Sequence, residues 1–247
     1  MENPSLIVLS RQSALRSQMD VISNNLANMN TRGFRGEQLL FNEYVNAKAG
    51  NPGVRGDGAK ISFVGLGGTL TDTREGALEP TGNQLDFAIK GPGFFAVDGP
   101  NGPRYTRDGR FTIDGQGQIV NRDGAAVLDP RGRPLTVPPG AASIEVTAGG
   151  QVSSDKGQIG TLQIVKFANE VALQKVGTNQ YQTDAPPQPV DGTTSVNQGM
   201  IEGSNIEPIV ELTKMIQVQR AYEAASQMIS NEHDRGLKAI DVLTRSS

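Results

Sequence analysis

The sequence predicts an α+β fold: long N- and C-terminal helices forming a coiled-coil-like stem, with a central all-β domain that is antiparallel and sandwich-like or partly barrel-like. Three observations predict it. Residues 1–48 and 204–247 are poor in glycine and carry apolar residues at helical spacing, whereas residues 49–203 hold most of the 30 glycines and 14 prolines of the 247-residue chain. The middle is also divided by four Asp-Gly dipeptides, at Asp98-Gly99, Asp108-Gly109, Asp114-Gly115 and Asp123-Gly124. Asp-Gly between apolar segments is the strongest short-range signal for a hairpin. The expected organisation is an N-terminal helix and turn (1–48), a central β-domain with linkers (49–203) and a C-terminal helix (204–247).

In the first zone Val8, Leu15, Ile22 and Met29 recur every seven residues, with Met19 and Leu26 between them. That period marks a helix with one apolar stripe. Ser5 is a suitable N-cap, and Asn30 and Gly33 can take the left-handed conformation that stops a helix, so its end is expected near residue 30. Gly33 then supplies a chain reversal and Phe34 a local anchor. Asn24, Asn25 and Asn28 are poor helix formers whose amides both donate and accept, which suits hydrogen bonds between closely packed subunits.

The last zone has Pro208 where a first helical turn tolerates proline, after Ser204 or Asn205 as cap, and no later proline. Leu212, Met215, Ile216, Tyr222, Ile229, Leu237, Ile240 and Leu243 mark a face over more than thirty residues. Gln219, Ser226 and His233 stand on that face at sevenfold spacing, and polar residues in a seam trade stability for a defined register and partner. The packing faces are therefore Val8, Leu15, Met19, Ile22, Leu26 and Met29 on one helix and Leu212, Met215, Ile216, Gln219, Tyr222 and Ile229 on the other. Two such helices alone form a marginal pair. Either they rest as a hairpin on the β-domain, or they find further neighbours by assembly.

Between them, apolar segments at Leu85–Lys90, Phe94–Val97, Arg110–Ile113, Gln118–Val120, Ser143–Thr147, Thr161–Phe167 and Leu173–Gln182 read as strands. Ala185-Pro186-Pro187-Gln188-Pro189 reads as an extended, stiff connection back toward the last helix.

Composition removes most chemistry. A net charge of −3 gives no basic field for nucleic acid. With no cysteine and a single histidine, His233, there is neither a disulfide nor a thiolate nucleophile, and no usual metal set. No apolar run near the start is long enough for a cleaved signal peptide, and none approaches the roughly 20 residues of a membrane span. A serine hydrolase would need His233 as its base, yet His233 lies on the helix seam. Gly65-Leu66-Gly67-Gly68 and Gly115-Gln116-Gly117 lack the Gly-Lys-Ser/Thr and following helix of a phosphate loop, so they are turns. Carboxylate pairs such as Asp72 with Glu75, or Asp114 with Asp123, could serve glycoside cleavage. With no tryptophan and only 5% aromatic residues, sugar stacking would be poorly served. No catalytic, cofactor-binding or metal-binding residue is assigned, and no small-molecule substrate is expected.

The segment Ser23-Asn24-Asn25-Leu26-Ala27-Asn28-Met29-Asn30-Thr31-Arg32-Gly33-Phe34-Arg35 resembles the N-terminal signature of the bacterial flagellar axial proteins, the rod, hook and hook-associated subunits. The resemblance continues through Thr81-Gly82-Asn83-Gln84-Leu85-Asp86-Phe87, Gly91-Pro92-Gly93-Phe94-Phe95 and Tyr105-Thr106-Arg107-Asp108-Gly109-Arg110-Phe111. It closes with Glu202-Gly203-Ser204-Asn205-Ile206 and Gln219-Arg220-Ala221-Tyr222-Glu223, so it covers almost the whole chain. It implies a structural subunit of the flagellar basal-body rod, without cofactor or enzymatic activity, whose terminal helices polymerise into the axial drive shaft while the β-domain faces outward. Implied partners are copies of itself, other rod subunits and the flagellar type III export apparatus, which would deliver the chain to the periplasmic rod without a cleaved leader. Length and the opening Met1-Glu2-Asn3 are most similar to the proximal rod type. A distal rod or hook protein is the alternative within the family, and a periplasmic glycan hydrolase the alternative from another class.

Overall fold

A computed structural model describes residues 3–47, 60–170, 173–177 and 179–245. The boundary expected at residue 48 and the side chains of Ile240 and Leu243 lie outside the described residues. Two helices flank an antiparallel β-rich region: α1 (Asn3–Ala27) and α2 (Pro208–Arg245). Pro208 is the first residue of α2, as its missing N–H and fixed φ favour. Ser5 lies inside the first turn of α1 rather than capping it. Neither Ser204 nor Asn205 caps α2: the Asn205 amide instead accepts from Gly36 N at 2.9 Å and donates to the carbonyls of Asp72 and Arg74.

The chain divides into two compact units. One comprises residues 1–27, 37–70 and 207–247; the other comprises residues 28–36 and 71–206. In the first, α1 packs along α2, and the strands Glu37–Ala47 and Lys60–Thr71 form a two-stranded sheet of their own among the described residues. Segment 37–70 thus groups with the helices, where composition had assigned its second half to the β-domain.

The second unit is built around a six-stranded sheet in the order Gln174–Val176, Gln180–Gln182, Arg104–Thr106, Phe94–Val97, Ile164–Lys166, Gln188–Pro189. Pro189 sits on the last strand of that order, at a sheet edge where a missing N–H is harmless. The segment read as a stiff linker is therefore partly an edge strand. Smaller antiparallel sheets surround it, among them Ile144–Val146, Gln151–Ser154 and Gly157–Thr161, and Ser195–Gln198 with Phe87–Lys90.

The strand Phe94–Val97 explains the arrangement. Alternate residues of a strand point to opposite faces, and here all four are buried. Phe95 and Val97 enter one apolar core with Phe87, Phe111, Ile119 and Val127; Phe94 and Ala96 enter another with Tyr105, Val165, Phe167 and Tyr181. The sheet is covered on both faces, so its central strand reads as an uninterrupted apolar run.

The Asp-Gly pairs do different jobs. Asp98-Gly99 opens the hairpin joining Phe94–Val97 to Arg104–Thr106, and Asp114-Gly115 lies in the hairpin between Thr112–Ile113 and Ile119–Val120. The left-handed conformation there falls on Gly117, at φ +81°, while Asp114 Oδ1 accepts from the N–H groups of Gln116 and Gln118. Asn121 and Asp129 build two more turns in the same way, each accepting from residues two and four ahead. Asp108-Gly109 is not a hairpin turn. A Cβ on Gly109 would lie 1.6 Å from the Phe87 carbonyl oxygen, so glycine is required there by close backbone approach.

Candidate assembly site

The helical unit is held by a narrow seam. On α2, Glu211, Met215, Val218, Tyr222, Ala225 and Ile229 alternate at spacings of four and three, the period of a heptad stripe. Glu211, Val218 and Ala225 are buried and the other three half-buried. On α1, Ala14, Ile22 and Asn25 are buried, and Val8, Leu15, Met19 and Leu26 are half-buried.

Where α1 ends and α2 begins, one amide joins three elements. Asn25 Oδ1 accepts from Glu37 N at 3.0 Å and Asn25 Nδ2 donates to Glu37 O at 2.9 Å, so the side chain pairs with a strand residue as a neighbouring backbone would. The same Nδ2 donates to Glu211 Oε2 at 3.3 Å, and Lys214 Nζ donates to Glu211 Oε1 at 2.6 Å. A cavity of about 170 Å³ opens beside this cluster, lined by Gln18, Val21, Ile22, Gln38 and Leu39 among others. Asn25 therefore spends its amide on partners within the chain. Asn24 is exposed; Asn28 is half-buried and accepts from Thr31 Oγ1 at 3.1 Å in the turn that follows the helix.

The apolar stripe expected on α2 is in fact two stripes. Met215, Tyr222 and Ile229 belong to the seam. Leu212, Ile216 and Gln219 stand off it and are exposed, Leu212 by 51% and Ile216 by 45%. With Ile209, which is 82% exposed, Leu212 and Ile216 form an uncovered strip over the first two turns. Leu9 on α1 and Leu40 and Phe41 on the strand Glu37–Ala47 are uncovered as well, as is Met29. Sequence reasoning missed Glu211, Val218 and Ala225, because Glu211 is charged and the two small apolar residues are outweighed by larger ones nearby; the alternating spacing with Met215, Tyr222 and Ile229 was the signal that could have found them.

The residues after α1 complete the β-rich unit. Gly33 takes φ +63° and a Cβ there would lie 2.5 Å from the backbone of Arg107, so the reversal expected of it is a requirement of both conformation and space. Phe34 is buried beneath Lys175, whose Nζ lies 3.8 Å from the ring centroid. Arg35 and Arg107 are buried with their guanidinium carbons 5.2 and 5.4 Å from the Phe94 ring centroid. Arg107 pairs with the buried Glu202 at 3.1 Å and also donates to the carbonyls of Ile89 and Gly91; Arg35 pairs with Glu170 at 2.9 Å. Burial pulls the Arg107 pKa below its ordinary value, and the Glu202 carboxylate opposes that pull.

The carboxylates Asp72, Asp108, Asp114 and Asp123 are each engaged by local partners. Asp72 is bound by Arg74, whose guanidinium holds its carboxyl below the usual range. Asp114 is committed to its turn. In the groove lined by Arg104, Arg110, Arg122 and Asn179, Asp108 is paired with Arg110 and Asp123 accepts from Gln180. His233 is exposed on α2. Among the described residues no cluster of three His, Asp or Glu could hold a metal, and no helix is long and apolar enough to cross a membrane.

Comparison with known proteins completes the picture. Residues 7–35 match the family described as "Flagella basal body rod protein", residues 88–154 the "Flagellar hook protein FlgE/F/G D1 domain", and residues 197–242 the "Flagellar basal body rod FlgEFG protein C-terminal". The chain is 37% identical to the flagellar basal-body rod protein FlgF of Caulobacter vibrioides over 246 residues, covering 98% of each chain. It is 34% identical to FlgF of Rhizobium meliloti, again over 98% of each. It is also 34% identical to the rod protein FlgG of Bacillus subtilis, over 92% of this chain and 93% of that one.

Proposed function

This chain belongs to the flagellar basal-body rod protein family, and from that premise we propose how it builds a shaft: α1 and α2 pair as a coiled-coil-like stem, and stems of successive subunits pack through the apolar strips left uncovered on the helical unit. It is a structural rod subunit and not an enzyme. Its place is the flagellar basal body, where it assembles with other rod subunits.

The interface comprises Val8, Leu15, Met19, Ile22, Leu26 and Met29, with Leu212, Met215, Ile216, Gln219, Tyr222 and Ile229, together with Asn24, Asn25 and Asn28 around the end of α1. The seam residues act by shaping the stem and the exposed ones by touching neighbours. The central region, a layered sandwich-like body, is the part that needs no neighbour. The position along the shaft is proximal, matching the FlgF type, and the neighbours include copies of the same chain. The route is export through the flagellar type III apparatus to the periplasm, for which a chain without cysteine is well suited. A contact between unlike surfaces whose rotation does not close generates a helical filament, so one small subunit can extend a shaft.

One observation carries this reading. Of the twelve large apolar residues exposed among the described residues, all but Met29 and Ile113 lie in the helical unit. The test is a triple variant, Ile209→Ser, Leu212→Ser and Ile216→Ser, in cells lacking the native gene. The expected result is a normally folded, exported subunit and non-motile cells without a complete rod. Swimming at the native rate would refute the reading.

A further inference from the structure

We infer that Asn25 and Glu211 form a register lock, a buried polar pair that selects which heptad of α2 lies against the end of α1. The inference deepens the assembly reading and rests on it only for its consequence in the cell.

The argument starts from what the apolar seam can distinguish. Seven residues beyond Glu211 stands Val218, and seven beyond that Ala225, both buried. Val218 and Ala225 are both small and apolar, so at these positions packing distinguishes one heptad from the next less sharply than a buried polar pair does. The polar pair separates them sharply. Asn25 is 3% exposed and Glu211 6% exposed. Both Asn25 oxygen and nitrogen are already committed to Glu37, which fixes where the second amide hydrogen points. That hydrogen meets the Glu211 carboxylate, and Lys214, one turn on, supplies the balancing charge. Sliding α2 by one heptad replaces the carboxylate with the methyl groups of Val218. A buried donor is then left unpaired, and Glu211, which keeps Lys214 on its own helix, loses the Asn25 amide. A single polar residue in a heptad seam is known to set register by this means, at some cost in stability.

Because the chain has no cysteine, two spin labels report register cleanly. Ser13→Cys and Ala224→Cys are both at exposed positions of the two helices. With the native pair in place, the labels should give one narrow distance. In the variant Asn25→Leu with Glu211→Leu, which keeps the seam filled, the distribution should broaden, because α2 can then slide along α1 by about 10 Å, one heptad at 1.5 Å per residue. Should the double variant not fold, Glu211→Leu and Glu211→Gln are compared singly: the glutamine retains an acceptor for Asn25 and should keep the narrow distance, whereas the leucine should lose it. A distance equally narrow with leucine overturns the lock, whatever the cells do. Motility measured with the same variants separates the two ideas: a broadened distance in cells that swim normally leaves the lock standing and refutes the assembly reading.

Discussion

The two units of this chain solve opposite problems. The β-rich unit closes on itself: among the described residues, thirty apolar residues are buried, and all except Ala14, Ile22, Val218 and Ala225 lie in it. It adds two buried arginines, each paired with a carboxylate, and a run of aromatic contacts such as Phe95 on Phe111 at 5.4 Å. The helical unit buries two alanines, one valine and one isoleucine, and leaves Ile209, Leu212, Ile216 and Phe41 uncovered. One unit is stabilised by its own interior. The other is held in shape by a thin seam and leaves exposed the kind of side chain that the first hides.

That contrast sets an order of expected effects. Arg107→Met strands the Glu202 carboxylate in the interior, and breaking one side of a buried pair costs about 3–5 kcal/mol; the urea midpoint of the full chain should fall accordingly. An unchanged midpoint would mean the β-rich unit does not depend on its buried charges. Asn25→Ala removes the partner of Glu37 N, Glu37 O and Glu211 and should cost about 1–3 kcal/mol, seen as loss of α-helical signal ahead of the β-rich unit. Coincident loss of both would show that the two units unfold as one. Serine at Ile209, Leu212 and Ile216 should change stability by only about 0.5 kcal/mol or less at each site while abolishing motility. This pairing of a small thermodynamic effect with a complete biological one is what distinguishes an interface from a core.

Proteolysis sharpens the comparison differently. Gly33, Phe34, Arg35 and Gly36 are buried in the β-rich unit, so the protease-resistant fragment should span 71–206 and retain 28–36. The smallest effect concerns acid. Arg74 lowers the Asp72 pKa from its ordinary 3.8, so the folded form holds its proton more weakly than the unfolded chain does. The stabilisation is fully present above that ordinary value and is lost as pH falls through the lowered one. Arg74→Gln should therefore lower the urea midpoint slightly near neutral pH and make no difference in strong acid.

Much of the architecture was legible because it depends on local period and composition. Heptad spacing announced both helices, Pro208 marked the start of α2, and the run Phe94–Val97 announced a strand. The Asp-Gly signal was right about turns at 98 and 114 and wrong at Gly109, where the demand for glycine comes from Phe87, a residue distant in sequence. The site was less legible. Met215 and Tyr222 were recognised as seam residues, but Leu212 and Ile216 were placed on the same face, since a helix with two apolar stripes looks like one broad stripe until a neighbour chooses between them. The partners of Asn25 were not legible either, because Glu37 and Glu211 reach it from other elements.

The amino-acid order by itself determined where the helices run, where glycine permits reversal, and which chemistries are absent, because those follow from each residue's own shape and its neighbours within a turn or two. Only the tertiary structure decided that Glu211 is buried, that Arg107 and Glu202 neutralise each other 95 residues apart, and that Ile209, Leu212 and Ile216 stay uncovered. Burial is a property of what arrives from elsewhere in the chain, and no local pattern carries that information.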